Sequence, residues 1–131
     1  MIFVDTVAWA AAMVPSDPHH QQVASFRSGC RDQLLTSDFV IDKTLTLLRA
    51  RRLFDKAIDA GRKFFDLNQV RIEYLEAEDI WRAWQIFRSQ PRREWSFTDC
   101  TSKVVIERFH IHQALTFDRH FLEFGNLTLV P

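Results

Sequence analysis

The chain opens on Ile2-Phe3-Val4-Asp5-Thr6, three apolar residues halted at once by a carboxylate. Three residues are too few for a helix, and a run apolar at every position suits a strand buried on both faces of a parallel sheet. The early carboxylate leaves no room for the apolar stretch of a secretory leader, so a cytoplasmic protein is expected. Ala114-Leu115-Thr116-Phe117-Asp118 repeats the pattern near the other end, again a strand that stops at aspartate. Between the two, helical and extended segments alternate. A short helix is expected over residues 7–13, then Asp17-Pro18 as N-cap and first helical proline of a helix over 19–26, closed by Ser28-Gly29. Leu34-Leu35-Thr36 reads as a strand, and Ser37-Asp38 offers capping oxygens to a helix through Thr44, Leu47, Leu48 and Arg51. Residues 54–65 are helical, 70–74 alternate like a strand, and 77–89 form a helix with Ile80, Trp81, Trp84 and Phe87 on one face. Gln90-Pro91-Arg92-Arg93 breaks that helix. Another starts at Ser96 with Val104, Val105 and Phe109 inward, and residues 127–130 form the last strand. The order β-α-α-β-α-α-β-α-α-β-α-β predicts one domain over residues 1–131, an α/β/α sandwich on a mostly parallel sheet.

Composition narrows the function. Of 131 residues, 47% are hydrophobic and 26% charged, which fits a globular chain and not a disordered one. Lys+Arg and Asp+Glu both number 17, so no general basic coat for nucleic acid exists, although a local basic groove remains compatible. No apolar run reaches the roughly 20 residues of a membrane span. Cys30 and Cys100 stand far apart, without the spacing of a disulfide framework or a structural zinc site.

Ligands of open parallel sheets gather outside the carboxyl ends of the strands. Asp5 and Asp118 are expected there, and Asp99, in the first turn of the helix after Ser96, can face them. Helix N–H groups and the helix dipole favour the ionised form of Asp99. Three carboxylates brought together repel one another, and a divalent cation resolves the repulsion; an all-oxygen donor set suits Mg²⁺ or Mn²⁺. Each aspartate taken singly is equally a helix or turn cap. The three taken with their topology favour the metal reading, without separating a nuclease from a phosphatase or a phospho-acceptor domain.

Four stretches carry a resemblance that runs nearly end to end. They are Phe3-Val4-Asp5-Thr6, residues 35–48, Trp95-Ser96-Phe97-Thr98-Asp99-Cys100-Thr101-Ser102, and Leu115-Thr116-Phe117-Asp118-Arg119-His120-Phe121. Together they resemble a PIN domain, and more narrowly a VapC-type toxin of a type II toxin–antitoxin pair. The resemblance implies a Mg²⁺- or Mn²⁺-dependent ribonuclease with Asp5, Asp99 and Asp118 as catalytic and metal-holding acids. It implies Thr6 and Thr98 as the hydroxyl neighbours that steady them, a homodimer, and a VapB-type antitoxin as silencing partner. In that reading water activated beside the cation attacks an RNA phosphodiester. A catalytically silent PIN scaffold that binds antitoxin, RNA or both is the alternative. A phosphatase stands further off, because position 7 is Val where a second Asp would be needed.

One departure discriminates between these readings. The family pattern calls for Glu after Asp42, and Lys43 stands there. Asp42, about 100° round the helix, is a poor substitute. The expectation is that the Lys43 ammonium reaches the acidic cluster, pairs with one of its carboxylates and weakens metal binding and cleavage. Arg49, Arg51, Arg52, Arg92 and Arg93 are candidates for gripping RNA phosphates, with a solvated surface as the plain alternative. The five histidines lack ligand spacing and are expected in surface or packing roles. Trp81, Trp84 and Phe87 are expected in the core or a dimer contact, and surplus apolar residues over 44–65 as a dimer or antitoxin surface.

Overall fold

The computed structural model describes residues 1–131. Five strands, β1 (Ile2–Val4), β2 (Leu34–Ser37), β3 (Arg71–Glu73), β4 (Gln113–Leu115) and β5 (Thr128–Val130), form one sheet in the order β3-β2-β1-β4-β5. Every neighbouring pair is parallel, with Ile2 opposite Leu34, Phe3 opposite Ala114 and Leu115 opposite Val130. Six helices connect them: α1 (Thr6–Met13), α2 (His20–Gly29), α3 (Asp38–Ala50), α4 (Phe54–Phe65), α5 (Ala77–Ser89) and α6 (Phe97–Arg108). A 3₁₀ helix, Arg119–Phe124, precedes β5 and ends at Gly125, whose φ of +80° a side chain would strain. With the right-handed crossovers that parallel sheets favour, this order puts α1–α4 on one face and α5–α6 on the other; α1 packs with α2 and α3, α3 with α4, and α5 with α6, while α3 also meets α6.

Strand position explains strand composition. The central β1 and β2 are buried at every residue, β1 with apolar side chains throughout and β2 with the Thr36 and Ser37 hydroxyls bonded to Val4 O and the Val40 N–H; the edge strands β3 and β5 are part-exposed and mixed. Phe3, Leu35, Val40, Leu48, Leu115 and Phe121 are among the residues that fill the main core. Trp9 packs edge-on to Phe64 at 5.0 Å while its indole N–H donates to Thr36 Oγ1. Ser37 caps α3 by accepting the Val40 N–H.

The structure departs from the sequence reading in three places. Asp17-Pro18 lies in a turn, where the Asp17 carboxylate accepts the His19 N–H, and α2 begins only at His20. β4 ends at Leu115, so Thr116-Phe117-Asp118 leaves the sheet as a loop, although the Thr116 N–H still bonds to Val130 O. The aromatic face of α5 lies outside the core, which removes the core half of the expectation and leaves the dimer-contact half: Trp81, Trp84 and Phe87 are exposed, and the helix buries Asp79 and Ala83 instead. Arg108 explains the inversion. Its guanidinium holds both oxygens of Asp79, at 3.1 and 2.9 Å, and also pairs with Glu73, tying α5 to α6 and to β3.

Candidate active site

The strand order reverses direction between β1 and β4, so the crevice of a parallel sheet falls at their carboxyl ends. Asp5 emerges there from β1. It is the N-cap residue of α1, yet its side chain makes no capping bond. Instead Asp5 Oδ2 accepts the Thr116 hydroxyl at 3.2 Å, and Thr116 Oγ1 in turn accepts the Asp118 N–H at 3.0 Å. This relay joins the two strand ends through one buried threonine. Asp118 Oδ1 accepts the His120 N–H at 2.9 Å, which starts the 3₁₀ helix, and lies 3.2 Å from the His120 ring Nδ1.

Asp99 arrives from the first turn of α6, fixed by a reciprocal capping box. Its Oδ2 accepts the Ser96 N–H at 2.9 Å and its own N–H donates to Ser96 Oγ at 3.0 Å. Its charge is felt by Asp5. Burial is the main reason the Asp5 carboxyl is pushed up from 3.8 to about 6, and Asp99 adds to it. The Thr6 backbone N–H, the Lys43 charge and the Thr116 hydroxyl pull the other way. Burial and Asp99 likewise raise the adjacent Cys100 thiol to about 11, which makes it an inert core group.

Two buried carboxylates within electrostatic reach of one another form an arrangement that a cation stabilises. The nearby Thr6 hydroxyl is buried without a partner, so the donor set is all oxygen and fits Mg²⁺ or Mn²⁺. No three acidic, histidine or cysteine side chains stand together as a ready-made cluster around one point. Asp118 reaches the same edge with one oxygen engaged by His120.

The other candidates separate clearly. Lys43 sits in α3 as an exposed residue, and its ammonium makes no ion pair with Asp5, Asp99 or Asp118, contrary to the expected pairing. Keeping an ammonium in water avoids its desolvation penalty, while its field still reaches Asp5. Thr98 is half-buried beside Asp99, and its carbonyl accepts the Thr101 hydroxyl. Arg49, Arg51 and Arg52 lie at the far end of α3, about 18 Å along the helix from Asp38, and so do not ring the acidic site. Arg49 covers the Phe54 ring instead. Arg92 and Arg93 lie exposed in the loop before α6, and Arg93 pairs with Glu123 and not with any of the three acids. His120 is more than a surface residue, because its ring stands between Asp118 and Glu94, the latter at 3.6 Å. Sequence reasoning missed Thr116, Ser96, Glu94 and His120 as parts of this edge. Thr116 was findable: two residues before Asp118 on an extended segment, it shares a face with it. The Glu94–His120 approach has no signal in spacing.

Comparison with known proteins follows the same lines. The profile of the PIN domain family matches residues 2–127. The 23S rRNA-specific endonuclease VapC20 of Mycobacterium tuberculosis is 33% identical over 131 residues, spanning 100% of this chain and 99% of that protein. The crystal structure of M. tuberculosis VapC20, described as a Sarcin-Ricin loop cleaving toxin, superposes with a TM-score of 0.91 at 31% identity and full coverage of both chains. FitAcB from Neisseria gonorrhoeae (TM-score 0.74, 12% identity, 100% of this chain and 97% of that one) shares the fold. So does VapBC2 from Rickettsia felis bound to a fragment of promoter DNA (TM-score 0.68, 12% identity, 98% and 97%). No helix is long and apolar enough to cross a membrane.

Proposed function

The chain belongs to the PIN domain family, and on that premise we propose that it is a VapC-type toxin, a metal-dependent endoribonuclease silenced by a VapB-type antitoxin. Its substrate class is RNA, and ribosomal RNA is the first candidate, because VapC20 is named as an enzyme of 23S rRNA. The observation that carries the reading is the buried Asp5 carboxylate beside Asp99 at the switch point of the sheet.

Asp5 and Asp99, joined by Asp118, are the residues that would hold Mg²⁺ or Mn²⁺. The cation supplies positive charge against the scissile phosphate and lowers the pKa of a water beside it. That positive charge would offset the desolvation that holds the buried Asp5 carboxyl up at about 6. Thr116 orients the Asp5 carboxylate, the Ser96 capping box orients Asp99, and Thr6 and Thr98 flank the two acids. Lys43 weakens this machinery by placing a second cation within electrostatic reach of Asp5. That same feature favours the second reading, a catalytically silent scaffold that still captures antitoxin or RNA.

Cleavage of total cellular RNA with Mg²⁺ or Mn²⁺ separates the two. The parent chain is expected to cut weakly, Lys43→Glu to cut strongly, and Lys43→Glu/Asp99→Asn or EDTA to abolish cutting. Equal metal-dependent activity in the parent and in Lys43→Glu means that three aspartates suffice. No cutting by Lys43→Glu with either metal selects the silent scaffold.

We further assign the protein to the cytoplasm as a homodimer that uses α3 and α4. Phe54, Ile58 and Phe65 are exposed there around a cavity of about 460 Å³ that Leu45 also lines. Light scattering should give twice the chain mass for the parent and the single mass for Ile58→Arg.

A further inference from the structure

A second cavity opens behind the acidic edge, where α5 ends and α6 begins. It measures about 390 Å³ and is lined by Phe87, Arg88, Gln90, Arg93, Trp95 and Cys100 among others, with no carboxylate in its wall. Cys100 follows Asp99 directly, so the cavity and the active site sit about 100° apart around the same first turn of α6. Its chemistry is specific. Phe87 is part-exposed, with its ring stacked on Trp84 and edge-on to Phe97, Trp95 forms a second aromatic wall packed edge-on to Phe124 at 5.2 Å, and Arg93 lays its guanidinium over Trp95 at 5.7 Å while pairing with Glu123. Arg88 and Gln90 stand exposed at the mouth. Trp95 is 8% exposed, and its indole N–H has no hydrogen-bond partner, a state that native structures rarely leave without a reason.

Aromatic rings, the unpaired Arg88 guanidinium and an unmatched indole N–H, with the nearby Glu123 carboxylate already held by Arg93, match one ligand chemistry: a single nucleotide, its base stacked and its phosphate held by arginine. We propose that this cavity is a nucleotide pocket that seats one unpaired residue of the RNA next to the scissile phosphate. Phe87 and Trp95 flank its base and Arg88 holds its phosphate. The proposal rests on the ribonuclease reading for its location and deepens it, because a pocket beside Asp99 selects which unpaired nucleotide brings its neighbour to the acids. The overall charge balance agrees: the chain is neutral, so recognition needs a local site and not a coat.

The test uses ¹⁵N-labelled full-length protein in EDTA, titrated with AMP, UMP and inorganic phosphate. The Trp95 indole resonance is identified by its absence in Trp95→Phe, or by through-bond assignment if that variant misfolds. A nucleoside monophosphate should shift the Trp95 indole signal while inorganic phosphate leaves it in place. Phe87→Ala and Arg88→Ala should each weaken nucleotide binding by about tenfold, the scale of one lost stack or phosphate contact. Equal shifts with phosphate alone, shifts confined to Trp81 and Trp84, or unchanged affinity in both variants overturn the pocket. Cleavage assays keep the two readings apart. If Phe87→Ala/Arg88→Ala cuts RNA at the same sites with the same KM, the pocket falls and the ribonuclease stands. If nucleotides bind as described but Lys43→Glu cuts no RNA, the ribonuclease falls and the pocket stands.

Discussion

Asp5 and Asp79 are buried to the same degree, each 4% exposed, yet their surroundings differ in kind. Asp79 is fully compensated. Arg108 donates to both of its oxygens, the Glu76 N–H donates to Oδ2, and the guanidinium goes on to Glu73. Asp5 has a threonine hydroxyl, a neighbouring N–H and a distant ammonium, against the repulsion of Asp99. Burying a carboxylate is expensive unless it is paired and hydrogen-bonded. Around Asp79 the fold answers that expense with its own residues, and the result is a strut between α5, α6 and β3. Around Asp5 it leaves the answer to something that binds. Burial alone therefore does not mark a functional carboxylate; uncompensated burial does.

The comparison breaks if the two aspartates respond alike to substitution. Asp5→Asn in the Lys43→Glu background should lower metal-dependent RNA cleavage by at least ~100-fold, the scale of losing one group that acts on transition-state charge. Arg108→Ala should leave cleavage per folded molecule within about twofold. Its effect belongs to stability, since it strands Asp79 without its cation. A fully buried broken pair costs about 3–5 kcal/mol, and the part exposure of Arg108 places the loss near the lower end, at about 3 kcal/mol. Thermal unfolding should then show Tm lower by about 10 °C. Loss of cleavage without loss of Tm in Arg108→Ala would mean that the strut also shapes the site.

The strut was hidden in the sequence and the strand ends were not. Ile2-Phe3-Val4-Asp5 betrays its place because a three-residue apolar run followed by a carboxylate has few other uses, and the twelve-element order follows from such local signals. Asp99 and Ser96 were legible as a helix start, since the capping box is a local pattern. The orientation of α5 was not. Its most apolar face carries Trp81, Trp84 and Phe87, and periodicity assigns such a face to the core. The helix is turned the other way by Arg108, 29 residues from Asp79, and no spacing rule joins those two positions. Lys43 was misjudged for a related reason. Sequence register placed it near the acids, but whether an ammonium enters a pocket depends on desolvation, which only the assembled surroundings determine.

The Asp5 side of the comparison has a pH signature. The unfolded carboxyl ionises near 3.8 and the folded one near 6, so between those values the folded state holds the extra proton. Stability from this group is full below about pH 4, falls as pH rises through 6, and is then absent at neutral pH. The shift of about 2 units corresponds to an upper bound of about 3 kcal/mol. Asp5→Asn removes the charge and keeps an oxygen for Thr116, so it should stabilise the metal-free protein by about 2 kcal/mol at pH 7.5 and by almost nothing at pH 4. Denaturant titrations of both proteins at the two pH values measure the difference. A pH-independent gain would show that Asp5 carries no desolvation penalty.

The smallest effect sharpens the comparison most, because it asks whether the missing compensation is a cation. Mg²⁺ that binds the folded state alone stabilises by RT ln(1 + [L]/Kd), about 1.4 kcal/mol at ten times Kd, or roughly 4 °C in Tm. The stabilisation should be present at pH 7.5, where ligand carboxylates are ionised, and should shrink as pH falls through about 6, because protonated Asp5 no longer attracts the ion. It should vanish in Asp5→Asn and grow in Lys43→Glu, where a cation near the acids is exchanged for a further carboxylate. Arg108→Ala, although much less stable at the outset, should gain the same increment as the parent, since Asp79 is not part of the site. A Mg²⁺ increment that survives in Asp5→Asn would place the ion elsewhere on the surface, and Asp5 would then be a buried charge without its proposed partner.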